Sequence, residues 1–154
     1  MPRGSIPYYF YFLNESRMTY ALQLEHGRTI GEVQSVFQSI FPFLQIEFYK
    51  GELNNRRISR RQLHRDAMLK EAGLINTGEI VFDPEMTVGQ LEIIAREKFG
   101  LTIAVFRRSG SAWLETTMTS DWTLRHQNEH GREITGVFQR SADPSSDSPG
   151  RRAG

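Results

Sequence analysis

The fold is decided by the stretch Met86–Arg107, MTVGQLEIIAREKFGLTIAVFR, which has a parallel earlier in the chain at Arg28–Lys50, RTIGEVQSVFQSIFPFLQIEFYK. Each stretch contains a threonine, Thr87 or Thr29, followed three positions later by a glutamine or a glutamate. This is the spacing of a capping box, in which the two side chains satisfy amide groups at the start of a helix. We therefore expect a helix to begin after each threonine.

The apolar residues of the two stretches also correspond in position. They recur at the spacing that puts them on one face of a helix, and the pairs are Ile30 and Val88, Val33 and Leu91, Val36 and Ile94, and Phe41 and Phe99. Apolar residues alternate with others before and after each helix, which is typical of a half-buried strand. The sequence thus predicts helices over 29–41 and 87–99, in a strand-helix-strand unit that occurs twice.

Two fold classes fit this order of elements, and both are α+β. The repeated unit favours a ferredoxin-like βαββαβ core with extra hairpin strands and with the helices on one face of the sheet. The alternative begins at Glu79, where strand, helix, strand, hairpin strand, short helix and strand follow the order of β-grasp, ubiquitin-like domains. We expect the ferredoxin-like pseudo-repeat core and keep the β-grasp order as the alternative.

The segments outside the two units predict additions to this core. Aromatic and alternating residues over 6–13 and 18–25 indicate an N-terminal hairpin. Between the units, 51–77 is expected to be a basic helical insertion, with a helix over Arg60–Ala72 that begins after Ser59.

Three further elements are expected near the C-terminus, namely a hairpin strand over 113–118, a short helix over 122–130 and a last strand over 134–138. Asp121 or Ser120 can cap the short helix, because both side chains accept hydrogen bonds from amides. Gly131 is a typical residue to end it.

Length and composition fit one domain, which we expect over 6–140, with 1–5 and 141–154 disordered. The chain has 154 residues, is 38% hydrophobic and contains no cysteine, which excludes disulfides, thiolate nucleophiles and cysteine-ligated zinc. No run approaches about 18 apolar residues and no secretory signal is recognisable, so we expect a cytoplasmic protein without membrane contact. The net charge of +1 argues against a globally basic nucleic-acid binder and leaves room for a local basic patch.

The segments TVGQLE, KFGLTIAVFRRSGSAWLETT and DWTLRHQNEHG carry a family resemblance. Over Thr87–Gly131, and more weakly over Phe41–Lys50, the chain resembles an uncharacterised family of small bacterial proteins. The resemblance implies one intact bacterial domain. It transfers no site residue, because no activity is known for that family.

The strongest candidate binding site is a basic cluster in the segment between the units, formed by Arg56, Arg57, Ser59, Arg60, Arg61 and Arg65. Arginines in the first turn of a helix add to the positive end of its dipole, and a bound anion would relieve that repulsion. Free amides at the helix start could then hold a phosphate, a nucleic-acid backbone or an acidic partner surface. The alternative is a basic face that is only solvated.

A second candidate is HQNEH at 126–130, which matches H-x-x-E-H, the inverted zinc-peptidase motif. Histidines four apart share one face of a helix, so His126 and His130 could bind zinc, with Glu129 as general base. A catalytic zinc needs a third protein ligand, and only Glu133 and the acids of the tail follow. We keep a zinc hydrolase as the least favoured alternative and expect no metal, no cofactor and no catalytic residue.

Aromatic residues near the N-terminus form a third candidate, an interface at Tyr8, Tyr9 and Tyr11. A strand with rings on both faces is expected only where both faces are covered, so one face would meet a partner, a second copy of the chain, or the C-terminal helix. Together these patterns favour a non-enzymatic module for protein–protein interaction, acting through an aromatic sheet edge and a basic helix start. Binding of a nucleic-acid phosphate backbone by the same arginines is the alternative.

Overall fold

The computed structural model describes residues 18–54 and 57–142. These form a mixed α+β structure whose elements are, in order, β1 (Tyr20–Leu24), α1 (Ile30–Ile40), β2 (Leu44–Asn54), β3 (Arg57–Gln62), β4 (Gly78–Phe82), α2 (Val88–Phe99), β5 (Thr102–Ser109), β6 (Ala112–Glu115), a short 3-10 helix (Thr117–Thr119) and α3 (Leu124–Ala142). The described strands make two antiparallel sheets, β1–β4 and β3–β2–β5–β6.

Both predicted capping boxes are confirmed. The Thr29 hydroxyl accepts a hydrogen bond from the Glu32 amide at 3.2 Å, and the Glu32 carboxylate accepts one from the Thr29 amide at 3.0 Å. Thr87 and Gln90 make the same pair of bonds at 3.1 and 2.9 Å. The two helices therefore begin where their threonines predicted.

Each of these helix starts is also joined to a turn much later in the chain. The Gly31 amide donates to the Arg65 carbonyl at 2.8 Å, and the Gly89 amide donates to the Ser120 carbonyl at 2.8 Å. A Cβ atom at either glycine would lie only 3.1 or 3.2 Å from that carbonyl oxygen. Glycine at this position thus lets backbone approach backbone, which explains why the two stretches share it.

Strands that flank α1 pair with strands that flank α2. In the two-stranded sheet Leu22 is opposite Ile80, and in the four-stranded sheet Ile46 is opposite Val105. The side chains of these four residues belong to one buried core, whose largest fully buried members include Phe37, Phe48, Phe82, Leu24, Ile30, Leu44, Leu69, Leu91, Leu101 and Leu124. The two strand-helix-strand stretches are therefore packed into a common interior.

The helix predicted over Arg60–Ala72 is wrong. Residues 57–62 form β3, which pairs with β2 from Tyr49 to Asn54, and hydrogen-bonded turns follow it. The capping pattern at Ser59 is local, whereas pairing along the whole extended length of β2 satisfies the backbone of this segment more fully. A helix here would have buried little apolar surface, and burial supplies most of a helix's stability.

The short C-terminal helix and the strand after it are also wrong, because α3 is one helix from Leu124 to Ala142. Gly131 does not end it. A Cβ atom there would lie 3.0 Å from Cγ of Arg107 and 3.0 Å from Cβ of Phe43, so the glycine marks a close crossing of helix and sheet. Thr123, rather than Asp121 or Ser120, caps the start by accepting the His126 amide at 3.0 Å.

Several other predictions differ only in extent. The strand expected after the first helix is β2, which runs from Leu44 to Asn54. The strand predicted over 113–118 is β6 followed by the 3-10 helix. The strand predicted over 6–13 lies outside the described residues, as does the tail beyond Ala142. In the described part of the chain, no helix is both long and apolar enough to cross a bilayer.

Candidate functional site

The basic segment lies on a β-hairpin that extends beyond the rest of its sheet. β5 pairs with β2 only as far as Tyr49, whereas β3 pairs with β2 to Asn54. We call the extending part, residues 50–54 and 57–61, the arm. It contains four basic residues, Lys50, Arg57, Arg60 and Arg61, and one acidic residue, Glu52. The arm is therefore strongly positive on a chain whose net charge is only +1.

The outer edge of the arm has no strand partner among the described residues, because β3 is the last strand of its sheet. The Leu63 amide donates to the Phe48 carbonyl at 2.8 Å, so backbone groups of residue 63 point toward β2. Alternate residues of a strand point their backbone groups to the same side, and those of Arg60 and Gln62 consequently point away from β2. Such an edge can accept another strand.

Arg60 is fixed at the base of the arm. Its Nη2 atom lies 3.1 Å from Oε1 of Glu115, and its Cζ atom lies 4.3 Å from the centre of the Tyr49 ring. Arg60 is on β3 and Glu115 is on β6, so this ion pair spans the sheet from one edge strand to the other. Burial raises the pKa of the Tyr49 hydroxyl, and the charge of Arg60 acts in the opposite direction.

Glu92 of α2 lies close to this ion pair. Its Oε1 atom accepts a hydrogen bond from the Val105 amide at 3.3 Å. Val105 precedes the part of β5 that pairs with β6, so Glu92 supplies the partner for this amide. Burial raises the pKa of the Glu92 carboxyl, the Val105 amide lowers it, and the nearby carboxylate of Glu115 raises it further.

The predicted basic cluster is thus divided by the structure. Arg57, Ser59, Arg60 and Arg61 lie on β3, and Arg56 lies outside the described residues. Arg65 lies in a turn against α1, where its Nε atom is 3.1 Å from the place a Cβ of Gly31 would take. The amides of 59–62 belong to a strand and do not form the helix start that was expected.

A cleft of about 840 Å³ lies at the start of α1 and includes Arg28, Glu32 and Arg65 in its lining. Its amide groups are already bonded, since Ile30 donates to the Ala67 carbonyl at 2.8 Å and the capping box holds the next turn. This helix start consequently offers no free amide group to an anion.

The two histidines of the HQNEH segment pack on Trp122, which lies just before α3. The ring of His126 stacks on Trp122 at 4.3 Å, and His130 meets the edge of the same ring at 5.5 Å. In residues 18–54 and 57–142, no group of three His, Cys, Asp or Glu residues is placed to hold a metal ion. Both histidines therefore have a packing role in the described structure.

The sequence patterns did not indicate the polar residues that hold α3. Gln127 is fully buried, accepts a hydrogen bond from Nη1 of Arg107 at 2.7 Å and donates to the Thr119 carbonyl at 2.9 Å. Asn128 accepts the Phe43 amide at 2.9 Å. A sequence pattern does not distinguish a buried glutamine from an exposed one. The only signal for Gln127 is its position within the apolar stripe of α3, where an apolar residue would be expected.

The predicted interface tyrosines, Tyr8, Tyr9 and Tyr11, lie outside the described residues. The chain matches no protein-family model, and comparisons with curated proteins and with solved structures found no match.

Proposed function

We propose that this chain is a non-enzymatic protein-binding module whose arm adds an extended, acidic segment of a partner protein to the open edge of β3. The observation that carries the proposal is the position of the basic residues, on an edge strand of a hairpin that projects past β5. Strand addition takes its affinity from backbone hydrogen bonds and its selectivity from side chains. Here the basic side chains would select carboxylates.

The charges of the arm divide into two roles. Arg60 is held by Glu115 and Tyr49, and we assign it the role of fixing the base of the arm. The net positive charge of the arm, to which Arg57 and Arg61 contribute, would attract the partner's acidic residues. We assign His126 and His130 a packing role, since both contact Trp122.

Titration of the full chain into a fluorescein-labelled peptide of alternating glutamate and valine, about ten residues long, tests this function. We expect saturable binding, weakened about tenfold or more in the double variant Arg57→Glu/Arg61→Glu. The control is Lys70→Glu/Arg132→Glu, which changes the net charge equally at two exposed residues away from the arm and should bind as the parent does.

Two further probes separate the proposal from its alternatives. A peptide of alternating lysine and valine should not bind, since its charge repels the arm. Tighter binding of an oligothymidylate than of the acidic peptide, with affinity falling steeply as salt is added, would favour the nucleic-acid alternative. Failure of the acidic peptide to bind, or equal binding by the Arg57→Glu/Arg61→Glu variant, would contradict the proposal.

For the fold, we infer two copies of one β-grasp-like unit. Each has a strand, a capped helix and a hairpin, and each hairpin is followed by a turn that bonds back to the helix start through Arg65 or Ser120. The direct pairing of β2 with β5 supports this order, because the strands that follow the two helices of a ferredoxin-like core do not pair with each other.

The resemblance to the uncharacterised bacterial family and the cytoplasmic location remain predictions from the sequence. A module that binds by strand addition is compatible with a cytoplasmic location, because it needs no membrane.

A further inference from the structure

The ion pair between Arg60 and Glu115 joins two residues that a flat sheet would hold far apart. Glu115 lies opposite Phe106, which lies opposite Gln45, whereas Arg60 lies opposite Gly51. The two charged residues are therefore six positions apart along β2 and three strand spacings apart across the sheet. At about 3.3 Å per residue and about 4.8 Å per strand, their Cα atoms would be about 25 Å apart in a flat sheet.

This separation exceeds what the two side chains can span. Arginine and glutamate side chains reach at most about 7 Å and about 5 Å from their Cα atoms at ordinary bond lengths. With 3.1 Å between Nη2 of Arg60 and Oε1 of Glu115, the two side chains join Cα atoms at most about 15 Å apart. The hairpin of β2 and β3 must therefore bend toward the face of the sheet on which both side chains lie.

That face is the outer face of the four-stranded sheet, opposite the core. Residues opposite each other in a sheet share a face, and alternate residues of a strand point to opposite faces. Tyr49 and Ala104 consequently share the outer face with Arg60 and Glu115, whereas Phe48 points into the core. Tyr49 is nevertheless only 8% exposed and Ala104 only 2% exposed. Arg60 covers the Tyr49 ring, with its Cζ atom 4.3 Å from the ring centre.

The start of the arm is suited to such a bend. The pairing of β2 with β5 ends at Tyr49, so Lys50 and Gly51 are paired only with β3. A glycine within a strand often marks a tight bend, because it has no side chain to pack. A Cβ atom at Gly51 would meet nothing within 4 Å. The arm can therefore move about this point as a unit, with the pairing of β2 and β3 intact.

We propose that the arm is a lid over the outer face and that the ion pair of Arg60 and Glu115 is its latch. Release of the ion pair lets the arm straighten, which uncovers Tyr49 and frees the Arg60 guanidinium. The two latch side chains are 46% and 37% exposed, and an ion pair so accessible to water contributes little stability. The latch is thus weak enough to open in solution, and added salt favours the open state. The lid does not depend on strand addition at the edge of β3.

The distance between two spin labels tests the lid. The chain has no cysteine, so a pair of introduced cysteines is labelled specifically. Labels on Ser59→Cys and Thr117→Cys lie close in sequence to the two latch residues. Pulsed electron paramagnetic resonance of the full chain in low salt should give a main distance of about 15–20 Å. Glu115→Gln should shift the main distance to about 25 Å or more, as a straight arm requires.

Two variants separate loss of the latch from loss of charge alone. Glu97→Gln removes the same charge at an exposed residue of α2 and should keep the short distance. The exchange of Arg60→Glu together with Glu115→Arg restores an ion pair of opposite polarity and should return the short distance. Circular dichroism establishes that each variant is folded.

A salt titration tests the latch without any change to it. About 1 M sodium chloride should lengthen the label distance in the parent chain and leave Glu115→Gln unchanged, because only the parent has an ion pair to screen. A long distance in the parent at low salt, a parent distance that salt does not change, or a short distance kept by Glu115→Gln would overturn the proposal.

Discussion

A methyl group at position 131 would have no room, whereas one at position 136 of the same helix would meet nothing within 4 Å. We predict that Gly131→Ala lowers the free energy of unfolding by about 1–2 kcal/mol, because Phe43 and the backbone of Arg108 must move to admit the Cβ atom. Gly136→Ala should raise it by about 0.5–1 kcal/mol through the higher helix propensity of alanine. Urea unfolding of the two variants measures both. Stabilisation by Gly131→Ala would show that α3 does not cross the sheet so closely.

Glu92 should make stability depend on pH. Burial raises the pKa of its carboxyl, so the folded chain holds this proton more tightly than the unfolded chain does. The resulting contribution to stability is fully present below the unfolded pKa and is lost as the pH rises through the higher, folded pKa. We predict that Glu92→Gln gains stability relative to the parent chain as the pH rises above the ordinary pKa of a glutamate.

Unfolding by urea at several pH values checks this prediction, and Glu97→Gln, at an exposed position on the same helix, is the matched control. The control should follow the parent chain closely. A stability difference between Glu92→Gln and the parent that stays constant with pH would mean that Glu92 is not buried as described.

The elements show what a local pattern can and cannot predict. α1 and α2 were predicted because their start signals and apolar stripes lie within each helix. β3 was missed because its conformation depends on the length of β2, and a capping pattern at Ser59 suggested a helix instead. α3 was cut short at Gly131 because a glycine required by a distant contact is indistinguishable, in sequence, from a glycine that ends a helix.

The two capping boxes give a prediction at the level of the element. Thr29→Ala and Thr87→Ala should each lower the free energy of unfolding by about 0.5–2 kcal/mol, since each removes one bond of a box of the same geometry. Thr117→Ala, at an exposed threonine outside both boxes, should change it by less than about 0.5 kcal/mol. Urea unfolding provides the comparison. A large difference between the two capping variants would argue against equivalent units.

At the scale of the whole molecule, the arm depends on the pairing of β2 with β3 and β5, which a local sequence pattern cannot predict. The arginines were predicted to bind an anion or a partner, but their place on a projecting hairpin depends on how far β5 accompanies β2.

The most direct test of the account is an amide-resolved NMR titration of the full chain with the acidic peptide. Strand addition predicts that shifts and slowed hydrogen exchange concentrate in 57–63, with new contacts from peptide backbone protons to Arg60 and Gln62, whose backbone groups point to the open edge. Perturbations that instead cluster at the start of α1, around Arg28 and Arg65, would contradict it and place recognition in the cleft there.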